Sequence, residues 1–225
     1  MLLGANEELS LTMQNETIEK VDKYKLVGVI LDDKLNWKPH CDSVLRKLKM
    51  TYVMISKGRH TISQKNKLLL YNSLFRSYYT FGLEHYGSAS LTTLKPLLTM
   101  QKKVLRAVFG KNGFFHIKPL MKQYKLLDIL DETISLRIRY AKNILGKKCP
   151  QHLKKLLPSA IPLRQNTRSQ TKHLLHTNMI RLELAKKSSV YQIPYLWNLL
   201  HETTQKLSKN QLKTWLRNQL ITLYN

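Results

Sequence analysis

Two spacings of apolar residues divide the chain. Near the N-terminus they alternate, as at Leu9, Leu11 and Met13, and then crowd into Leu26-Val27-Gly28-Val29-Ile30-Leu31, which reads as a strand. From about residue 34 the period becomes helical. The first helix is expected from Trp37 or Lys38 to Lys57, with Val44, Leu45, Leu48, Tyr52 and Ile55 on one stripe. Pro39 suits its opening turn, and Gly58 stands where a left-handed C-cap belongs. A second helix opens near Ser63 and carries Leu68, Tyr71, Phe75, Tyr78 and Tyr79, with a break near Gly82 or Gly87. A third spans about Leu94 to Phe109; Leu97, Gln101, Val104, Leu105 and Val108 face inward, and Gly110 ends it. A fourth begins at the N-cap Asp128, places Asp131 and Glu132 in its first turn, and runs through Ile134, Ile138, Ala141 and Leu145 to Gly146.

Beyond that point the period lapses. Residues 147–178 are punctuated by Pro150, Pro158 and Pro162 and read as a basic linker. Met179–Ile193 is ambiguous, and a short helix is expected around Pro194–Leu200. The last helix is the clearest: Ser208 with Gln211 three residues on makes a capping box, and Leu212, Trp215, Leu216 and Leu223 form its apolar face. The pattern predicts a mainly α fold, a helical bundle with a small N-terminal β element. It divides as residues 1–33 (β), 34–146 (helical), 147–178 (linker) and 179–225 (C-terminal helical segment).

Charge changes the picture. The 225 residues carry 38 Lys+Arg against 14 Asp+Glu, net +24, with an isoelectric point near 10.1. Residues 1–33 hold three lysines and seven acids, net −4; residues 34–225 hold 35 bases and seven acids, net +28. An ordinary soluble surface interleaves both signs. An excess of this size repels itself unless a polyanion is close, which points to nucleic acid first and an acidic membrane second. The bases are spread over many helices and not gathered in one amphipathic anchor, so the membrane reading is the weaker. No apolar run is long enough to span a bilayer. Met1-Leu2-Leu3-Gly4-Ala5 lacks a basic lead and runs into Glu7-Glu8, unlike a secretory leader. Two cysteines make no disulfide framework, and an intracellular, nuclear or cytoplasmic setting is expected.

Catalytic motifs are sparse. Asp32-Asp33 follows an apolar strand, as metal-holding aspartates of template-directed polymerases do, but such a site needs a third carboxylate from another strand. The plainer reading is an acidic turn ahead of the first helix. His40-Cys41 with Cys149-x-x-His152 offers four zinc-type ligands at spacings unlike those of known zinc motifs. No nucleophile elbow or phosphate-binding Gly-rich loop is present. Tyr71, Phe75, Tyr78, Tyr79, Phe81 and Tyr86 are able to stack bases, though at helical spacing they read as core.

In order along the chain, four segments resemble one family. Tyr24-Lys25-Leu26-Val27-Gly28-Val29-Ile30-Leu31-Asp32 followed by Leu35-Asn36-Trp37-Lys38-Pro39-His40 is similar to the primer-grip hairpin and thumb lead-in of non-LTR retrotransposon (LINE-type, jockey-like) reverse transcriptases. Leu68-Leu69-Leu70-Tyr71-Asn72-Ser73-Leu74 with Tyr79-Thr80-Phe81-Gly82-Leu83-Glu84 is similar to the helix that follows in the family. Gln101-Lys102-Lys103-Val104-Leu105-Arg106 and Leu196-Trp197-Asn198 resemble two later motifs. His201 stands where the family has proline, and Val27 where it usually has leucine. By this resemblance Met1-Leu2-Leu3-Gly4 falls just after the metal-binding motif of the palm. The chain then looks like a C-terminal fragment: end of palm, thumb and C-terminal region, without catalytic residues or a metal of its own, the Mg2+ belonging to the parent enzyme.

The resemblance implies a role in holding RNA and DNA, as a primer–template duplex, beside the family's palm and fingers. Leu26, Val27 and Gly28 would lie at the primer grip. The expected phosphate contacts are Arg46, Lys47, Lys49, Lys57 and Arg59, then Lys102, Lys103 and Arg106, with Arg164, Arg168 and Lys172 as a basic clamp. Two rival readings stay open. One is a free-standing helical RNA- or protein-interaction module, and the other a metal-dependent nuclease or nucleotidyl transferase built on Asp32-Asp33.

Overall fold

The computed structural model describes residues 11–13, 16–18, 20–146, 149–151, 175, 177, 181, 183–186 and 188–224. Strands come first and helices after, as the change of spacing predicts. β1 (Leu11–Met13) pairs antiparallel with β2 (Glu16–Ile18), Leu11 opposite Ile18. β3 (Lys23–Leu26) pairs with β4 (Val29–Asp32), Lys23 opposite Asp32 and Leu26 opposite Val29. The run Leu26–Leu31, read above as one strand, is therefore folded in two. Val27 and Gly28 form the turn, with φ of 47° and 87°. Two-residue hairpins favour this double left-handed turn because its twist matches that of the strands. The apolar spacing hides it, since a β-branched residue rarely takes positive φ.

Asp32 ends the hairpin. Its two carboxylate oxygens accept the N–H groups of Asn36 and Trp37, both at 2.9 Å, and turn the chain into α1 (Lys38–Lys57). α1 buries Val44, Leu48 and Ile55, with Leu45 and Tyr52 partly covered. Its end differs from expectation. Gly58 has φ −81°, not a left-handed value; a Cβ there would stand 2.4 Å from Ile62 Cδ1, so the position needs space and not a special dihedral.

Ser63 caps α2 (Gln64–Leu70), accepting the N–H of Asn66. A π-helical turn, Tyr71–Phe75, follows, closed by the Arg76 N–H on the Tyr71 carbonyl, and the helix resumes as α3 (Arg76–Thr80). Asn72 Nδ2 donates to the Leu68 carbonyl at 3.0 Å within this widened stretch. Tyr71, Phe75 and Tyr79 are fully buried in series, Tyr71 stacked on Phe75 with ring centroids 5.3 Å apart and Phe75 edge-to-face with Tyr79 at 5.9 Å. Gly82, φ 71°, separates α3 from the short α4 (Leu83–Tyr86). α5 (Leu91–Val108) starts three residues earlier than the apolar pattern suggests, capped by Ser90, with Pro96 inside it. A helix not expected from the sequence, α6 (Lys118–Gln123), precedes α7 (Ile129–Ile144), which is capped by Asp128 as predicted.

Two apolar clusters form. The first gathers α1, the π turn, α3, α4 and α5 around Leu48, Ile55, Phe75, Leu97 and Leu105; each such side chain contributes roughly 1.5–3 kcal/mol on burial. The second joins Ile138, Ala141 and Ile144 of α7 to Leu175, to Ile193 and Trp197 of α9 (Ser189–Asn198), and to Leu212 and Leu216 of α11 (Lys209–Thr222). α7 thus belongs to both, through Ile129 at one end and Ile144 at the other. Short helices α8 (Glu183–Lys186) and α10 (Glu202–Gln205) complete the described chain. α11 carries the capping box expected at Ser208 and Gln211. Leu223, expected on its apolar face, is 70% exposed; the helix ends at Thr222 and the next turn sends Tyr224 inward instead. The remaining residues of the 147–178 linker and of Met179–Ile193 lie outside the described residues.

Candidate nucleic-acid interface

α1 lies against α5, and the seam between them is open along one side. On α1 the residues that line it are Leu45, Lys49, Tyr52 and Ser56, with Arg59 just past the helix end; on α5 they include Lys95, Thr99, Lys103 and Arg106. Spacings of three and four residues keep each set on one helix face. The seam comprises two adjoining cavities of about 440 and 340 Å³ that share Met100 and Lys103. The larger is lined by Arg59, Lys103, Arg106 and Lys111, the smaller by Lys49, Lys95 and Lys103, and among the described residues no acid lines either.

Local bonds hold this wall in place. Lys67 is buried and its Nζ donates to the Arg59 carbonyl at 2.6 Å, anchoring the loop after α1. Arg106 is half-buried, and its Nε donates to the Phe115 carbonyl at 2.9 Å, so it also fixes the loop after α5. Lys111 Nζ sits 5.1 Å from the Phe115 ring centroid. The neighbouring Phe114 is 99% exposed, beside Gly113 at the end of the larger cavity.

Four of the residues expected to touch phosphate are brought together here: Lys49, Arg59, Lys103 and Arg106. Lys47 is not, because it turns toward α3, its Nζ 5.6 Å from the Tyr78 ring. Arg46, Lys57 and Lys102 are exposed but outside the two cavities. Arg164, Arg168 and Lys172 lie outside the described residues. Lys95 and Lys111 escaped the sequence reading. Lys95 is eight residues before Lys103 on the same face, a signal visible once the helix is started at Leu91.

Leu26, Val27 and Gly28 form the tip of the second hairpin, with Leu26 and Val27 exposed and Gly28 set against the Phe81 ring. His40 docks that hairpin on α1, its Nδ1 accepting the Ile30 N–H at 3.3 Å and its ring edge-on to Tyr86 at 4.7 Å. Burial, and then the charge of Lys47, hold the His40 pKa below its ordinary value. Burial, helped by Asp42 and Asp32, pushes the Cys41 thiol up to about 12. His40 and Cys41 are thus core groups of the first cluster, whereas Cys149 packs on the second; His152 lies outside the described residues. Among the described residues no group of three or more potential metal ligands assembles. Of the aromatic series, Tyr71, Phe75, Tyr79 and Tyr86 are core, and only Tyr78 and Phe81 keep an exposed face.

Gln101 also has a structural job. Its Nε2 donates to Tyr71 Oη and to the Leu127 carbonyl, at 3.0 and 2.9 Å, and its Oε1 accepts the Ile129 N–H at 3.2 Å. A buried amide is tolerated when its donors and acceptor are satisfied in this way.

Among the described residues no helix is long and apolar enough to cross a membrane. No family model matches the chain, and no solved structure does. Curated proteins do match. The chain is 25% identical over 154 residues to the probable RNA-directed DNA polymerase from transposon X-element of Drosophila melanogaster, covering 67% of this chain and 17% of that protein. It is 24% identical over 134 residues to the RNA-directed DNA polymerase from mobile element jockey of Drosophila funebris, covering 57% and 14%. With the jockey polymerase of Drosophila melanogaster the figures are 22% over 167 residues, 73% and 18%. The chain therefore spans less than a fifth of the length of the relatives it matches. The resemblance carried by the four ordered motifs is borne out: over more than half its length this chain is related to a segment of LINE-type, jockey-like RNA-directed DNA polymerases.

Proposed function

We propose that this chain holds a nucleic-acid duplex, a primer–template in kind, by its sugar-phosphate backbone, and that the α1–α5 seam is the surface that does so. The observation that carries the reading is the seam's charge: among the described residues it is lined by six cations, Lys49, Arg59, Lys95, Lys103, Arg106 and Lys111, and by no acid. Such a surface favours a polyanion without reading base sequence. Lys49 to Lys57 spans about 12 Å along the helix axis, with Arg59 just beyond it, room for roughly four phosphates of one strand. Phe114, at the end of the row, offers a bare ring on which a base can stack. The hairpin tip at Leu26, Val27 and Gly28 takes the primer-grip place by resemblance.

The test is salt-dependent binding of an RNA–DNA heteroduplex, followed by fluorescence anisotropy. If six cations each displace a counterion, log affinity falls with log salt at a slope near −5. The variant K49Q/R59Q/K103Q should bind more weakly at low salt and reduce that slope by about 3, while Lys47→Gln should change both far less. An unaltered slope in the triple variant would remove the seam as the binding face.

A further inference from the structure

A second group of cations meets where α3, α7 and α11 come together, and none of its members lines the seam. Glu132 on α7 is 2% exposed and accepts from Arg76 Nη2 of α3 at both carboxylate oxygens, at 2.8 and 3.0 Å. Arg139 lies seven residues further along α7, on the same face. Lys213 and Arg217 stand one turn apart on α11, which packs against α7. Arg76, Arg139 and Arg217 are half-buried, with Lys213 at the exposed rim.

The charges do not balance. Among the described residues, Glu132 is the carboxylate whose charge reaches both Lys213 and Arg217, and it is already engaged by Arg76. Among the described residues the side chains of Arg139, Lys213 and Arg217 form no ion pair or hydrogen bond. Repulsion from Arg139 first, then burial and Arg217, holds the Lys213 ammonium below the ordinary lysine value. Burial first, then Arg76, does the same to Arg217. Among the described residues, four cations around one engaged carboxylate leave three positive charges without a counter-charge, two of them half-buried. Partly buried like charges weaken a fold unless a counter-charge joins them.

We propose that the cluster of Arg76, Arg139, Lys213 and Arg217 is a binding site for a phosphate-type oxyanion, either free or at the end of a polynucleotide. The guanidinium groups of Arg139 and Arg217 can each present two parallel N–H donors to such a group, Arg76 adds the N–H groups that Glu132 leaves free, and Lys213 adds a mobile point charge at the rim. The inference stands apart from the reading of the α1–α5 seam.

Thermal unfolding of the whole chain at fixed ionic strength, in chloride against inorganic pyrophosphate, tests it. Pyrophosphate at about 100 times its Kd should raise Tm by roughly 5–10 °C. Lys213→Gln and Arg217→Gln should lose that rise, and in chloride each should melt no lower than wild type because a repulsion has been removed. K49Q/K103Q, in the seam, should lose far less of the rise than either cluster variant, which separates failure of the seam from failure of the cluster. A 5′-phosphorylated oligonucleotide that stabilises wild type more than its dephosphorylated twin identifies the polynucleotide end as the source; equal responses identify free phosphate. The proposal is overturned if the two cluster variants respond to pyrophosphate as wild type does, or if they melt well below it in chloride.

Discussion

Asn198 pairs with the backbone of Leu175 as one strand pairs with the next: its Nδ2 donates to the Leu175 carbonyl and its Oδ1 accepts the Leu175 N–H, both at 2.8 Å. Leu175 is buried in the second cluster beside Trp197, so neither backbone group has water to fall back on. Asn198→Leu strands a donor and an acceptor at once and should cost about 2–4 kcal/mol. Asn198→Asp keeps the acceptor but turns a carboxylate oxygen against the Leu175 carbonyl, and should cost at least as much. Urea unfolding midpoints, with an unchanged slope, would check the order.

Glu132→Gln removes the negative charge from a site that holds four positive ones. Breaking one side of a buried pair leaves the other uncompensated, and a loss of about 3 kcal/mol is expected. Replacing an exposed acid such as Glu202, which pairs with Lys206 at 2.6 Å on the surface, should cost about 0.5 kcal/mol or less. A comparison of the two by chemical denaturation separates burial from mere pairing.

Gly87 has an ordinary dihedral, φ −63°, yet a Cβ there would lie 2.5 Å from both the Leu83 carbonyl oxygen and Thr133 Cγ2. Gly87→Ala should therefore destabilise by about 1–3 kcal/mol through overpacking of α4 on α7. Adding Thr133→Ala should return part of the loss, that due to the side chain, and not the part due to the carbonyl. A double-mutant cycle on Tm reads the division.

Val27 is held at positive φ in a turn that prefers Asn or Gly. Val27→Asn should relieve about 1 kcal/mol of strain and raise Tm by roughly 2–4 °C. If the tip also meets the primer end, heteroduplex affinity should drop while stability rises, an opposition visible in paired melting and binding curves.

Asp131 and His40 should pull stability in opposite directions on acidification. Burial raises the Asp131 carboxyl to about 6, against the hydrogen bond it accepts from Tyr224 Oη at 2.5 Å. Between about pH 4 and 6 the native state then holds the extra proton, so this group stabilises as pH falls. His40 is shifted below 6.5, so below that pH the unfolded chain holds the extra proton and stability drops. Asp131→Asn should make Tm rise more steeply with pH across 4–6, and His40→Asn should make it rise less steeply below 6.5.

Local chemistry was the most legible part of the fold. Ser63, Asp128 and the Ser208–Gln211 box each mark a helix start because a side-chain oxygen must meet orphaned N–H groups within three residues. The α1 stripe was equally plain. What escaped depends on partners far along the chain or on too few residues to show a period. α6 is six residues long, and the Val27–Gly28 turn interrupts an apolar run without any polar residue to mark it. At the seam, Lys49, Arg59, Lys103 and Arg106 could be named one by one, but only the packing of α1 on α5 separates them from Lys47, Lys57 and Lys102. The second cation group was invisible for the same reason, since Arg76 and Glu132 are 56 residues apart.

The π turn at Tyr71–Phe75 fixes where that group points. A helix advances about 100° per residue, so one spare residue lodged upstream swings every later side chain around the axis by that much. Excising a residue between Asn72 and Leu74 would let the backbone settle into regular α form yet aim Arg76 away from Glu132. The compass bearing of the guanidinium is thus written in a backbone irregularity one turn earlier, and the aromatic column keeps that irregularity from ironing itself out.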